Sequence, residues 1–167
     1  LLSSSNRVFS NVAFYYYGVE NGLPETQINI IAQDSSGFIW LASENALFRF
    51  DGNRFKNYLK RENDGLLKGK INDLNVDSKG VLRVGTESGF LEFNSEQDEF
   101  TTPEGWERVH IFEMNEDFKH RIWIGTDEGL ACYYPGENKT VWFTGTDTIK
   151  AGGNAVLPFS AINHLTC

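Results

Sequence analysis

The nine residues Ile122-Trp123-Ile124-Gly125-Thr126-Asp127-Glu128-Gly129-Leu130 constrain the fold more than any other part of the chain, because versions of them stand twice upstream. One is Leu82 to Phe90, reading Leu-Arg-Val-Gly-Thr-Glu-Ser-Gly-Phe, and the other is Ile39 to Leu47, reading Ile-Trp-Leu-Ala-Ser-Glu-Asn-Ala-Leu. In each copy an apolar run too short for a helix, carrying β-branched or aromatic residues, meets a polar turn and the start of a return strand. The turns offer Gly or Asn where positive φ is needed. The three stretches predict one β-hairpin, repeated.

Trp40 and Arg83 are 43 positions apart, and Arg83 and Trp123 are 40. A period in the low forties with several short strands per unit suits the four-stranded blade of a β-propeller. The match runs beyond the hairpin. Asp34, Asp77 and Asp117 each precede the Trp/Arg/Trp position by six residues; Gly37 and Gly80 follow the first two aspartates by three, and His120 takes the third glycine place. Ile28-Asn29, Ile71-Asn72, Ile111-Phe112 and Ile162-Asn163 open the first strand of four successive units.

The expected architecture is therefore all-β, a partial propeller over residues 1–167 with blades at 28–59, 71–100 and 111–143 and the start of a fourth at 162–167. Residues 145–157, rich in Gly, Thr, Asp and Asn, read as a longer connection. The strand-forming run at 12–17 lays Tyr15 on Tyr58 when shifted by one period, so it reads as the last strand of a preceding blade. Three blades with an unpaired strand cannot close a ring. The expectation is that further blades of the same polypeptide, or a self-associating copy, cover the ends.

Strands such as Phe38-Ile39-Trp40-Leu41 and Ile122-Trp123-Ile124 are apolar at consecutive positions, as in sheets covered on both faces. Trp40 and Trp123 then fill wedges between blades, and Gly85 and Gly125 admit close approach. Gly89 and Gly129, at equal places after Thr86 and Thr126, are expected at positive φ. Arg83 breaks the Trp pattern: either its stem packs along the same surface with the head in water, or it meets a carboxylate.

Composition narrows function mainly by exclusion. A net charge of −8 spread over the turns argues against nucleic acid and anionic membrane surfaces, which need clustered Lys and Arg. The basic group Lys56, Lys60, Arg61, Lys68 and Lys70 is interrupted by Glu62 and Asp64 and reads as a solvated loop. Two cysteines, Cys132 and Cys167, make neither a disulfide framework nor a metal-ligand spacing. No run of eighteen apolar residues is present.

At these residues the chain resembles the two-component regulator propeller repeat: an Asp, two residues, a Gly, an apolar pair, then Trp-Ile-Gly-Thr and a following Gly-Leu. Ile122 to Leu130 matches that pattern almost fully, and Gly22-Leu23-Pro24, Gln33-Asp34, Gly37 to Trp40 and Phe50 to Phe55 resemble the opening of such sensor domains. Ala42-Ser43 for Gly-Thr, Arg83 for Trp and His120 for Gly depart from it. The resemblance implies the periplasmic sensor region of a membrane-bound hybrid histidine kinase of glycan-degrading bacteria, detecting a carbohydrate breakdown product. It implies membrane attachment and kinase chemistry only through segments outside these residues, and no enzyme activity here.

No motif for catalysis, cofactor or metal is evident. Asp127-Glu128 and Glu116-Asp117 are adjacent carboxylates in turns, where such residues serve turn geometry and solubility; His110, His120 and His164 share no ligand or triad spacing. For binding, the segments leading into each blade are favoured, since ring scaffolds read ligands with their connections. Trp106, Arg108 and His110 could stack on and hydrogen-bond an oligosaccharide; the alternative for Trp106, which takes the place of Leu23 and Leu66, is an apolar plug. A propeller-type glycan hydrolase or lyase, or a plain protein-interaction propeller, are the competing readings.

Overall fold

The computed structural model of the protein describes residues 14–23, 27–44, 46–58, 69–143, 148–150 and 156–158. Three antiparallel four-stranded meanders carry the chain. The first comprises β1 (Ile30–Gln33), β2 (Ile39–Ala42), β3 (Leu47–Phe50) and β4 (Phe55–Asn57). The second comprises β5 (Ile71–Val76), β6 (Leu82–Thr86), β7 (Gly89–Asn94) and β8 (Glu99–Thr101). The third comprises β9 (Ile111–Glu116), β10 (Ile122–Thr126), β11 (Gly129–Tyr134) and β12 (Lys139–Phe143). A single 3-10 turn, Val19–Asn21, is the helical element among the described residues. The expected all-β propeller architecture is the one observed.

Each sheet is closed at one end by its aspartate. Asp34 Oδ1 accepts the backbone N–H of Ser36 and Phe38, while Oδ2 accepts the Trp40 indole N–H at 2.8 Å, six residues on. Asp117 repeats the plan with Lys119 and Arg121 N–H and the Trp123 indole at 2.9 Å. The conserved spacing within the chain is thus a turn clamped to the strand that follows it. Asp77 keeps the backbone half of the plan, and Arg83 replaces the indole, donating to Asp77 at 2.6 Å and Glu92 at 2.8 Å. Of the two readings open for Arg83, the carboxylate is the one found, with the residue 1% exposed.

At the opposite end a hydroxyl closes each middle hairpin. Thr86 Oγ1 donates to Gly89 O and accepts Ser88 N–H; Thr126 does the same with Gly129 O and Glu128 N–H. Ser43 bonds Ala46 in both directions, so this departure from the Gly-Thr pattern keeps the cap. Gly89 and Gly129 have φ of 151° and 134°, which side chains rarely adopt.

The inner strands β1, β5 and β9 face one another across the seams. Trp40 packs at the first seam against Phe93 and Phe100 of the second sheet. At the second seam Phe90 meets Trp106 and Tyr133, and Gly85 is crossed so closely by Ile111 that an added Cβ would lie 2.6 Å from its Cγ2. At Gly125 a Cβ would meet, among the described residues, Glu113 O of its own sheet at 3.9 Å. The residue in the place of Ile111 one unit later, Ile162, lies outside the described residues.

One other expectation is corrected, and one is left open. Of the run expected as a strand of a preceding blade over 12–17, the described residues Phe14 to Tyr17 pair with no strand among the described residues, and Tyr17 packs its ring on Phe50 and Phe55. The stretch expected as a connection over 145–157 carries β13 (Thr148–Lys150) and β14 (Val156–Pro158), paired antiparallel. Thr148, Ile149 and Val156 are β-branched, and that preference prevails over the Gly-rich composition around them. The start of a fourth blade at 162–167 and Cys167 lie outside the described residues, whereas Cys132 is buried, as its strand position predicts.

Candidate functional site

The site is built where the second and third sheets meet at their hydroxyl-capped ends. The segment leading into β9 crosses over the β6–β7 turn, with Arg108 N–H donating to Ser88 O and Glu107 bridging to Gly89. It then bonds the β10–β11 turn: His110 N–H donates to Asp127 Oδ1 at 3.0 Å, and Asp127 N–H returns to His110 O. Asp127 is therefore a structural acceptor. These bonds, one to the Asp127 carboxylate and the others between backbone groups, fix the path of residues 107–110.

Trp106 is not a ligand platform. It is 1% exposed, packed between Phe90 and Trp142, with its indole N–H on Thr140 Oγ1 at 3.2 Å. The rings of Phe90, Tyr133 and Trp142 and the aliphatic side chains of the same cluster, Val109 and Met114 among them, surround it as they would a plug. Arg108 is exposed and holds φ at 71°. His110 is half-buried, its Nε2 lying 3.0 Å from Asn72 Nδ2 of the neighbouring sheet.

The residue missing from sequence reasoning is Phe112. Strand β9 is irregular against β10: Thr126 pairs with Ile111 and Gly125 with Glu113, leaving Phe112 unpaired in a bulge. A bulge re-aims its extra side chain, and Phe112 is 52% exposed with its ring 4.5 Å from that of His110. The second sheet has the same irregularity, with Asn72 skipped between Ile71 and Asp73. The repeat did carry a signal, since Phe112 stands where Asn29 and Asn72 stand.

Below the bulge, Asp73 Oδ2 accepts Met114 N–H across the seam at 2.7 Å and Oδ1 accepts Leu74 N–H. Burial pushes its carboxyl up to about 6 despite these two bonds, with the charge of Glu113 adding to the rise.

A second polar group lies at the aspartate end of the same seam. Glu116 accepts both the backbone N–H and the hydroxyl of Ser78, and His120, at φ 61° in the glycine place, reaches the pair with Nδ1. Hydroxyl and carboxylate meet the same ring nitrogen, so no base is oriented through the far one as nucleophilic catalysis requires. This is a clamp between sheets. Asp117 is fully engaged: burial opposes its charge, but bonds from Arg121 and Trp123 and from backbone N–H groups hold it far below the usual carboxylate range. Among the described residues no group of His, Cys, Asp and Glu is placed to hold a metal ion, and no helix is long and apolar enough to cross a membrane.

Among curated proteins no relative matches the sequence. The chain superposes on the extracellular domain of a hybrid two component system of B. thetaiotaomicron with a TM-score of 0.66 at 24% identity, over 78% of this chain and 20% of that one. A second such domain from the same organism gives 0.62 at 19% identity, over 82% and 18%. Virginiamycin B lyase from Staphylococcus aureus gives 0.55 at 13% identity, over 74% and 43%. The chain thus spans about a fifth of the length of the extracellular domains it matches, and the likeness to all three is one of fold. Residues 22–45 match the Two component regulator propeller family, so the chain carries that repeat within three sheets built on a common plan.

Proposed function

We propose that the chain is part of the extracytoplasmic sensor region of a membrane-bound hybrid histidine kinase, and that the seam around His110 and Phe112 binds a carbohydrate breakdown product without turning it over. The observation that carries the reading is the half-exposed Phe112 ring beside His110, raised on a bulge at the hydroxyl end of the sheets. Sugars place their apolar C–H faces on aromatic rings and their hydroxyls on a surrounding polar rim. Arg108 and His110 supply that rim. The family match at residues 22–45 and the fold shared with extracellular domains of hybrid two component systems support the cellular setting. In this reading the three sheets are blades of one ring, completed by further blades of the same polypeptide or a second copy, since propellers typically hold about four to eight.

The test is calorimetry and thermal unfolding with a panel of oligosaccharides, on the chain and on Phe112→Ala, together with analysis of the sugars afterwards. Sensing predicts a binder that raises the melting temperature, is recovered intact, and no longer binds Phe112→Ala. Cleaved or unsaturated products would favour a hydrolase or lyase. A flat response to the whole panel would favour a protein-interaction propeller.

A further inference from the structure

Asn72 makes two bonds with one nitrogen. Its Nδ2 lies 2.8 Å from Ile111 O and 3.0 Å from His110 Nε2. The carbonyl of Ile111 can only accept, so the atom facing it is the amide nitrogen, and the orientation of the Asn72 amide follows. A side-chain NH2 has two hydrogens and no acceptor capacity. With one hydrogen on Ile111 O, the other points at Nε2, which must receive it with a lone pair. A neutral imidazole that accepts at Nε2 carries its proton on Nδ1. Among the described residues no hydrogen bond reaches His110 Nδ1, while the ring stands 4.5 Å from the half-exposed ring of Phe112.

We propose that Asn72 is a positioning residue that holds His110 in its Nδ1–H form, so that the Phe112 face is flanked by a hydrogen-bond donor and selects ligands presenting an oxygen acceptor there. The inference rests on the carbohydrate-binding reading only for the ligand: a sugar hydroxyl or ring oxygen is the group that fits. The tautomer itself stands on the two Asn72 bonds. Asn72 belongs to the second sheet and His110 to the third, so the donor is set across a seam. The place of Asn72 in the first sheet is held by Asn29, whose counterpart to His110 on the next sheet is Lys70. Of the two seams among the described residues, the second alone carries the pair.

The experiment is long-range proton–nitrogen NMR of the uniformly nitrogen-15-labelled chain at pH 8, where the nitrogen shifts also report directly whether the ring is neutral. The two tautomers give distinct patterns for Nδ1 and Nε2. The expected result is a single Nδ1–H form for His110, assigned by its loss in His110→Gln. Asn72→Ala should shift the ring towards a mixture, and Asn72→Asp, whose carboxylate accepts, should turn it to the Nε2–H form. A wild-type ring in the Nε2–H form or as an even mixture would overturn the proposal, as would an unchanged pattern in a folded Asn72→Asp. Should both variants fail to fold, the wild-type spectrum alone decides. No ligand is needed, so a barren oligosaccharide panel would defeat the carbohydrate reading and leave the tautomer result standing.

Discussion

Arg83 Nη1 lies 2.6 Å from Asp77 Oδ2, in the place that the indole nitrogens of Trp40 and Trp123 take on Asp34 and Asp117. The second sheet keeps the clamp and changes the donor. The guanidinium then has bonding capacity left, which Glu92 takes up at 2.8 Å, and Glu92 in turn faces the Tyr133 hydroxyl of the third sheet. A wedge filled by an indole elsewhere is filled here by a buried ion network.

Arg83→Met should cost about 3–5 kcal/mol, because it leaves the buried Asp77 carboxylate without its counter-charge. Arg83→Trp restores the repeat's own donor and leaves only the more exposed Glu92 without its partner, so its loss should be smaller, about 1–2 kcal/mol. Urea unfolding of the two variants at pH 7 checks the order. An equal loss in both would mean that the Asp77 bond contributes nothing.

Asp73 predicts that stability rises as the solution is acidified from pH 7 towards pH 5. Its folded carboxyl titrates at about 6 and its unfolded one at 3.8, so the folded chain binds the proton more tightly. The charged form is the destabilised one, and its penalty, about 1–3 kcal/mol, is fully present above pH 6 and fades on descent through that value. Asp73→Asn should flatten the pH profile between 4 and 7. Thermal melts across that range give the reading.

Asp117 acts in the opposite sense. Its folded carboxyl is held below its unfolded one, so the stabilisation is complete above about pH 4 and is lost as the pH falls further. Asp117→Ala should cost about 2–4 kcal/mol at pH 7, since it strips the Trp123 indole, Arg121 and two turn N–H groups of their acceptor. At pH 2 the gap between variant and parent should narrow.

Gly85→Ala and Gly125→Ala form a matched pair. The first drives a methyl group into Ile111 across the seam and should cost about 1–3 kcal/mol; the second meets, among the described residues, only Glu113 O at ordinary contact distance and should change stability by less than about 1 kcal/mol. Gly129→Val should cost about 1–3 kcal/mol because φ is 134° there. Differential scanning calorimetry on the three variants is sufficient.

The hairpin repeat made the sheets legible because turn, cap and wedge residues recur at fixed offsets: Asp117 before Trp123, Thr126 before Gly129. Where the repeat was degenerate, the reading weakened for physical reasons. Trp106 was open between platform and plug because amphipathic rings serve both, and only its burial under Phe90 and Trp142 decides. Phe112 went unnoticed because a bulge leaves no mark in a hydrophobic pattern that continues through Ile111 and Met114. Close approach at Gly85 is set by Ile111 of the next sheet, and the counterpart for Gly125, Ile162, lies outside the described residues. The run of aromatic residues ending at Tyr17 has strand preference, but a strand exists only where another strand's backbone stands alongside it.

The bonds from the turn aspartates Asp34, Asp77 and Asp117 and from each hydroxyl cap begin and end within the same sheet, whereas the seams are crossed by bonds such as those of Asn72 and Asp73 to the start of β9, Ser78 to Glu116, Glu92 to Tyr133, and Asp98 to Tyr58. A stretch of about forty codons therefore carries a sheet's own turns and caps, while the burial of its faces is completed by its neighbours. When such a stretch is duplicated or lost, the folding instructions for every remaining sheet stay intact, and only the handful of seam side chains must adjust to a new neighbour. That leaves Arg83, His120 and Phe112, each of which differs from the residues at the same place in the other two sheets, as the points where the second and third sheets part from the shared plan.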